Sequence, residues 1–146
     1  MNKTLVFLSL LLPFLLVLSL ASIRAQTQVA RETPLTTKYL PDLPGKEGLV
    51  ETVVLAPGEV VPAHRHNADV FAYVLNGSII TEVKGEKPET VHAGEVFYES
   101  PTDVHIASRN ASASQPTKIL VFFVKKIGAP PTVAVQSTNT AQEGAK

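Results

Sequence analysis

The chain has 146 residues, balances 13 basic against 13 acidic side chains and contains no cysteine. Charge neutrality without a basic run argues against nucleic acid and anionic membrane surfaces as partners, and the missing thiols exclude disulfides and lipid attachment at an N-terminal cysteine. A chain of this length must therefore hold itself together by core packing, helped by a metal ion or a second subunit.

Lys3 gives a short positive start, residues 5–20 are apolar apart from Ser9, Pro13 and Ser19, and small residues follow at Ala21, Ser22 and Ala25. This pattern predicts a secretory signal over residues 1–25 and a secreted or periplasmic protein, with no stable membrane association after cleavage. Cleavage after Ala25 is preferred to cleavage after Ala21. The competing reading is an uncleaved anchor, since the run approaches the length that crosses a bilayer. Residues 26–33 are polar and patternless and read as a linker, and residues 34–127 as the folded domain. Residues 128–146 open with Gly128-Ala129-Pro130-Pro131 and pass into Ser, Thr, Asn, Gln and Ala. Such a composition buries too little surface to offset ordering and predicts a disordered tail.

Within the domain the signals are strands and turns, with no helical period of apolar residues. Residues 49–56 are rich in β-branched side chains and stop at Pro57-Gly58. Residues 60–66 form a second extended segment, and residues 70–75 run apolar into Asn76-Gly77, the strongest hairpin signal in the chain, with 78–84 as the return strand. After the turn at Gly85-Glu86-Lys87-Pro88 come segments 89–92, 95–99, 104–108 and 118–126, broken at Ala93-Gly94 and Ser100-Pro101. Short strands at this spacing predict an all-β sandwich or barrel. Residues 70–75 and 119–124 are apolar at consecutive positions, which predicts cover on both faces. The segment holding Tyr39 and Leu40 or a second subunit would supply it, and a homodimer is preferred.

The chemistry concentrates at His64-Arg65-His66. Alternate side chains of a strand share a face, so His64 and His66 project together and Arg65 points away. His105 can close the site from a neighbouring strand, and three neutral imidazoles with open positions suit one divalent transition metal ion that must still meet a ligand. His92, beside a turn, reads as surface. Tyr73 and Tyr98 read as packing. Asn76-Gly77-Ser78 and Asn110-Ala111-Ser112 both satisfy the N-glycosylation pattern.

These residues carry a resemblance. Gly58, His64, His66 and Gly77 keep the frame Gly, five residues, His-x-His, then a closing Gly, while Gly94 and His105 keep the separation of a second motif. The chain resembles a small single-domain cupin, which implies a jelly-roll β-barrel. Val70 stands where the family has its glutamate ligand, and Asp69 is one position off and faces the other way in a regular strand. In the second motif Ser100 and Thr102 replace the family's proline and glycine, and Asn110 arrives one residue late. Glu99, on the second-motif strand, is the candidate replacement carboxylate, as a fourth metal ligand or as a catalytic general base. Parity sets Glu95, Phe97 and Glu99 against Val96 and Tyr98 without saying which set faces inward.

Together with the signal segment, the resemblance implies an exported metal-binding protein, with His64, His66, His105 and Glu99 around iron, manganese, zinc, nickel or copper. The leading expectation is a dioxygenase- or isomerase-type enzyme acting on a small oxygen-rich organic molecule. The alternatives are a non-catalytic metal or small-molecule binder and a barrel whose site is empty.

Overall fold

The computed structural model describes residues 30–135. In it the turn residues divide the chain into β1 (Arg31–Tyr39), β2 (Lys46–Leu55), β3 (Val60–Val61), β4 (His64–His66), β5 (Ala68–Asn76) and β6 (Ser78–Val83). There follow β7 (Glu89–His92), β8 (Val96–Glu99), β9 (His105–Asn110), β10 (Thr117–Lys126) and β11 (Thr132–Ala134). Among the described residues there is no helix.

Two sheets result. One has the order β1-β2-β10-β5-β8; the other has the order β11-β4-β9-β6-β7, with β3 also paired to β9. All pairings are antiparallel. No ladder joins β8 to β7 or β1 to β11, so the expected closed barrel is corrected to a jelly roll of two open sheets. The reason lies in the connection: after β7 the chain turns at Gly94, with φ of 92°, and crosses to the edge of the other sheet instead of pairing with itself.

The apolar runs resolve into alternation. Ala68, Val70, Ala72 and Val74 of β5 are buried, while Phe71, Tyr73 and Leu75 are exposed. In β10, Ile119, Val121 and Phe123 face the core beside Leu49 and Leu55 of β2. Tyr39 is 73% exposed and β1 flanks β2 at the far edge, so the N-terminal segment does not cover the outer face of β5.

Register sets the interior. Leu49, Phe123, Val70 and Glu99 are successive cross-strand partners in one row, and Glu51, Val121, Ala72 and Phe97 form the next. Residues paired across a ladder point to the same face. Glu99 therefore projects inward directly beside Val70.

Both ends of the domain differ from expectation. Arg31 to Thr33, read as linker, belong to β1, because their backbone pairs with Thr52, Val53 and Val54 of β2. Thr132–Ala134, read as tail, pair with His66, Arg65 and His64 of β4. Backbone hydrogen bonding to β4 orders a stretch whose side chains alone would not. Lys125, buried beneath β2, donates to Glu47 and to the Ala129 carbonyl, and Gly128 N donates to Glu47 Oε1, which fixes the turn leading into β11. The signal segment read at residues 1–25, and residues 136–146, lie outside the described residues.

Two motif positions have structural explanations. Gly77 has φ of 79°, and a Cβ there would lie 2.6 Å from Thr117 Oγ1 and 3.1 Å from the Pro116 carbonyl oxygen. Asn110 is buried and donates to the carbonyls of Leu55, Ala56 and Gln115, while its Oδ1 accepts from Ser112 N and Thr117 Oγ1. In this fold the Asn110 amide is a hub between strands, engaged at every polar atom, and is closed to glycosylation.

Candidate metal centre

His64 and His105 are register partners on β4 and β9, so their rings meet on the inner face, 5.3 Å apart and nearly parallel. Alternation along β4 brings His66 to the same side, 5.0 Å from His64 and 5.7 Å from His105. Arg65 is exposed and reaches only toward Asn67 Oδ1, at 3.4 Å.

His105 owes its direction to a β-bulge. Ser108 pairs with Thr81 and Ala107 with Glu82, but Val83 pairs with His105, so Ile106 is skipped. A regular strand would present Ile106 to the interior; the extra residue turns His105 inward instead and leaves Ile106 exposed.

Each ring is held through Nδ1. His64 Nδ1 meets the Pro62 carbonyl oxygen at 2.8 Å. His66 Nδ1 lies 3.3 Å from the Pro131 carbonyl oxygen and 3.2 Å from Thr132 Oγ1, so the segment leading into β11 completes its support. His105 Nδ1 lies 3.4 Å from Thr81 Oγ1 and 3.3 Å from Glu99 Oε1. A histidine anchored at Nδ1 has Nε2 free to bind.

Glu99 closes the group. Its Oε2 lies 2.9 Å from His66 Nε2, and it is 7% exposed. Burial alone would raise its pKa, but the hydrogen bond from His66 and the charges of His105, His66 and His64 outweigh burial and hold the carboxyl below its ordinary range. Burial pushes His64 down, which favours the neutral ring that ligation needs. Asp69 takes no part. It faces outward, where its Oδ1 accepts the Tyr98 hydroxyl at 2.7 Å. Tyr73 and Tyr98 are exposed on that outer face, and His92 is exposed with its Nδ1 on Ser78 Oγ.

Among the described residues, His66, Glu99 and His105 offer one ligand atom each within 4.8 Å of one another. His64 adjoins this trio. The Nε2 of His105 is buried without any hydrogen-bond partner. A ring that carries an orphaned nitrogen and adjoins a carboxylate and two more imidazoles belongs to a donor set that a divalent cation would satisfy. Next to the cluster is a cavity of about 90 Å³ whose wall includes His64, His66, Glu99, Phe97 and Phe123.

The comparisons with known proteins agree with this fold. The cupin domain family matches residues 51–123, half of the chain, from the middle of β2 to the inward Phe123 of β10. The chain belongs to the cupin domain family. No curated protein matches it. Among solved structures, a protein of Klebsiella pneumoniae with a double-stranded β-helix domain aligns with 74% of this chain and 85% of its own, at 16% identity and a TM-score of 0.56. DMSP lyase DddQ of Ruegeria pomeroyi aligns at 21% identity and a TM-score of 0.53, over 66% of this chain and 45% of the lyase. The cupin chain described here thus spans less than half of the lyase's length. An oxalate oxidase in complex with the substrate analogue glycolate aligns over 60% of this chain and 46% of its own, at 24% identity and a TM-score of 0.50. At these identities the likeness is one of fold.

The place that the resemblance gives to the family's glutamate is Val70 on β5, fully buried, and Glu99 on β8 is its direct partner across the ladder.

Proposed function

We propose that this cupin is an exported, metal-dependent protein that binds and converts a small oxygen-rich organic molecule. His64, His66, His105 and Glu99 are the proposed ligands of one divalent transition metal ion. The observation that carries the reading is the convergence of His66, Glu99 and His105, with one ligand atom each within 4.8 Å of the others, together with the orphaned Nε2 of buried His105. A bound ion of this kind supplies Lewis acidity toward an anionic oxygen.

The chain's own residues perform the rest. Pro62, Pro131 and Thr132 hold the histidine rings in orientation, and Glu99 lowers the net charge of the donor shell by one. Phe97, Phe123 and the valines of the cavity exclude water and leave room for a compact organic body. As the alternative to ligation, Glu99 is the proposed general base, moving a proton between its carboxylate and the ligand. The solved neighbours named for an activity act on DMSP or on oxalate, and they support a small-molecule reading. The second reading, a binder without turnover, is favoured by the engagement of both Glu99 oxygens by histidines, which leaves no idle base.

The outer face of β5, β8 and β10 exposes Phe71, Tyr73, Tyr98 and Phe122, and a second copy of the chain is its proposed cover, as a homodimer. Export rests on the apolar start of the sequence alone.

The experiment is cobalt substitution. Visible absorption of the cobalt-loaded protein is expected to change when oxalate or acetylacetonate is added, and the change should be lost in His105→Ala. A cobalt spectrum indifferent to both chelators would contradict a site that receives an oxygen ligand.

A further inference from the structure

Among the described residues, three buried glutamates project from the inner face of the first sheet, and two of them have partners. Glu47 meets Lys125, and Glu99 meets His66 and His105. The third, Glu51, has none. It lies in the middle of β2, is 4% exposed, and among the described residues neither a hydrogen bond nor a salt bridge engages its carboxyl. It faces the cavity that His64, His66 and Glu99 also line.

A second carboxyl stands near it. Glu32 of β1 is the register partner of Val53, one step along β2 on the same inner face, and it sits exposed at the cavity rim. Among the described residues, no lysine or arginine lines this cavity. Burial first, and the charge of Glu32 second, hold the Glu51 carboxyl above its ordinary range, whereas His66 pulls it down. The carboxyl opens on the cavity, and among the described residues no protein donor offsets its partial desolvation. The neighbouring Glu47 shows that this strand can give a buried acid a lysine where the fold needs one.

The cavity lining is therefore of two kinds: imidazoles with Glu99, and an unpartnered acid pair, with Val53, Ile119 and Val121 also on the wall. We propose that Glu51, with Glu32 at the rim, forms a subsite for the cationic end, an ammonium or other onium group, of a small organic ligand whose anionic oxygen end faces the histidine cluster. The location of the anionic end rests on the metal reading above; the cationic subsite does not. A cation at Glu51 relieves both its missing partner and its repulsion with Glu32, which a neutral hydroxyl would do only in part.

The test uses the full chain, zinc-loaded and metal-free, with four probes followed by NMR titration: n-butylammonium, n-butanol, γ-aminobutyrate and butyrate. In the metal-free protein n-butylammonium should bind more tightly than n-butanol, and Glu51→Gln should weaken it about tenfold, the loss expected for one charge-assisted hydrogen bond, while leaving n-butanol unchanged. Glu32→Gln, at the wet rim, should give a smaller loss. Zinc should strengthen γ-aminobutyrate and butyrate alike, with the ammonium advantage of γ-aminobutyrate disappearing in Glu51→Gln. Equal binding of the amine and the alcohol, or an amine indifferent to Glu51→Gln and to the apolar Glu51→Leu, overturns the subsite. Absence of any zinc effect with the Glu51 effect intact overturns the metal reading and spares the subsite.

Discussion

Moving the carboxylate across the ladder tests the reasoning about the centre. Glu99→Val removes the one anionic donor of the cluster, and Val70→Glu restores a carboxylate at its register partner. Partner residues of an antiparallel ladder have Cα atoms about 4.5–5.5 Å apart and share a face, so a glutamate at either position reaches the same space. A negative charge about 4 Å from a unit positive charge at an effective dielectric of about 20 is worth roughly 4 kcal/mol. Loss of Glu99 should therefore weaken zinc on the order of a hundredfold to a thousandfold once the regained solvation is subtracted. Competition against a chromogenic chelator measures it. The double variant should recover at least about tenfold of the loss, because its carboxylate meets the same three rings. Val70→Glu alone should lower the melting temperature, since it sets two carboxylates side by side in the interior. An unchanged zinc affinity in Glu99→Val, with circular dichroism showing a folded protein, would refute the assignment. So would a folded double variant that binds no better than the single one.

Three further outcomes follow from other parts of the structure. Deleting residues 128–146 removes the Pro131 and Thr132 supports of His66, and should weaken metal binding about 10–100-fold, the usual effect of losing an outer partner of a ligating histidine; chelator competition reads this directly. Gly77→Ala puts a Cβ 2.6 Å from Thr117 Oγ1 at a φ of 79°, and should cost about 2–3 kcal/mol in urea unfolding. Glu51 is held above its unfolded pKa, so its contribution to stability is fully present below the unfolded carboxyl range and is lost as pH rises through the folded value. Glu51→Gln should consequently be more stable than wild type at neutral pH, with the advantage gone at acid pH, as thermal melts across pH would show.

Much of the fold could be read from spacing. Pro57-Gly58, Asn76-Gly77 and Ala93-Gly94 punctuate strands where the structure turns, and His-x-His on a strand puts two rings on one face whatever surrounds it. What could not be read was parity and pairing. β8 is four residues long, and whether Glu99 or Tyr98 points inward depends on its register with β5, a tertiary fact. The bulge that aims His105 leaves no mark in the residues 104–108 themselves; their alternation would place His105 and Ser108 on opposite faces, yet both are buried. The supports of His66 were missed because a Pro- and Ala-rich stretch looks disordered by composition, and its order comes from backbone bonds to β4. Strands 70–75 and 119–124 looked doubly buried, but in a single chain their outer residues are exposed or half-buried. Glu51 hid inside a strand that any reading assigns to packing, and only its lack of a partner marks it.

The central claim is that three imidazoles and one carboxylate of this chain share a single cation. Elemental analysis by mass spectrometry on the purified protein, after reconstitution and removal of loose metal, addresses it most directly. The expected result is close to one transition-metal ion per chain in the wild type, with a large loss in His66→Ala and His105→Ala and a loss in His64→Ala. A wild type that emerges metal-free, or one whose metal content is the same in all three variants, would contradict it.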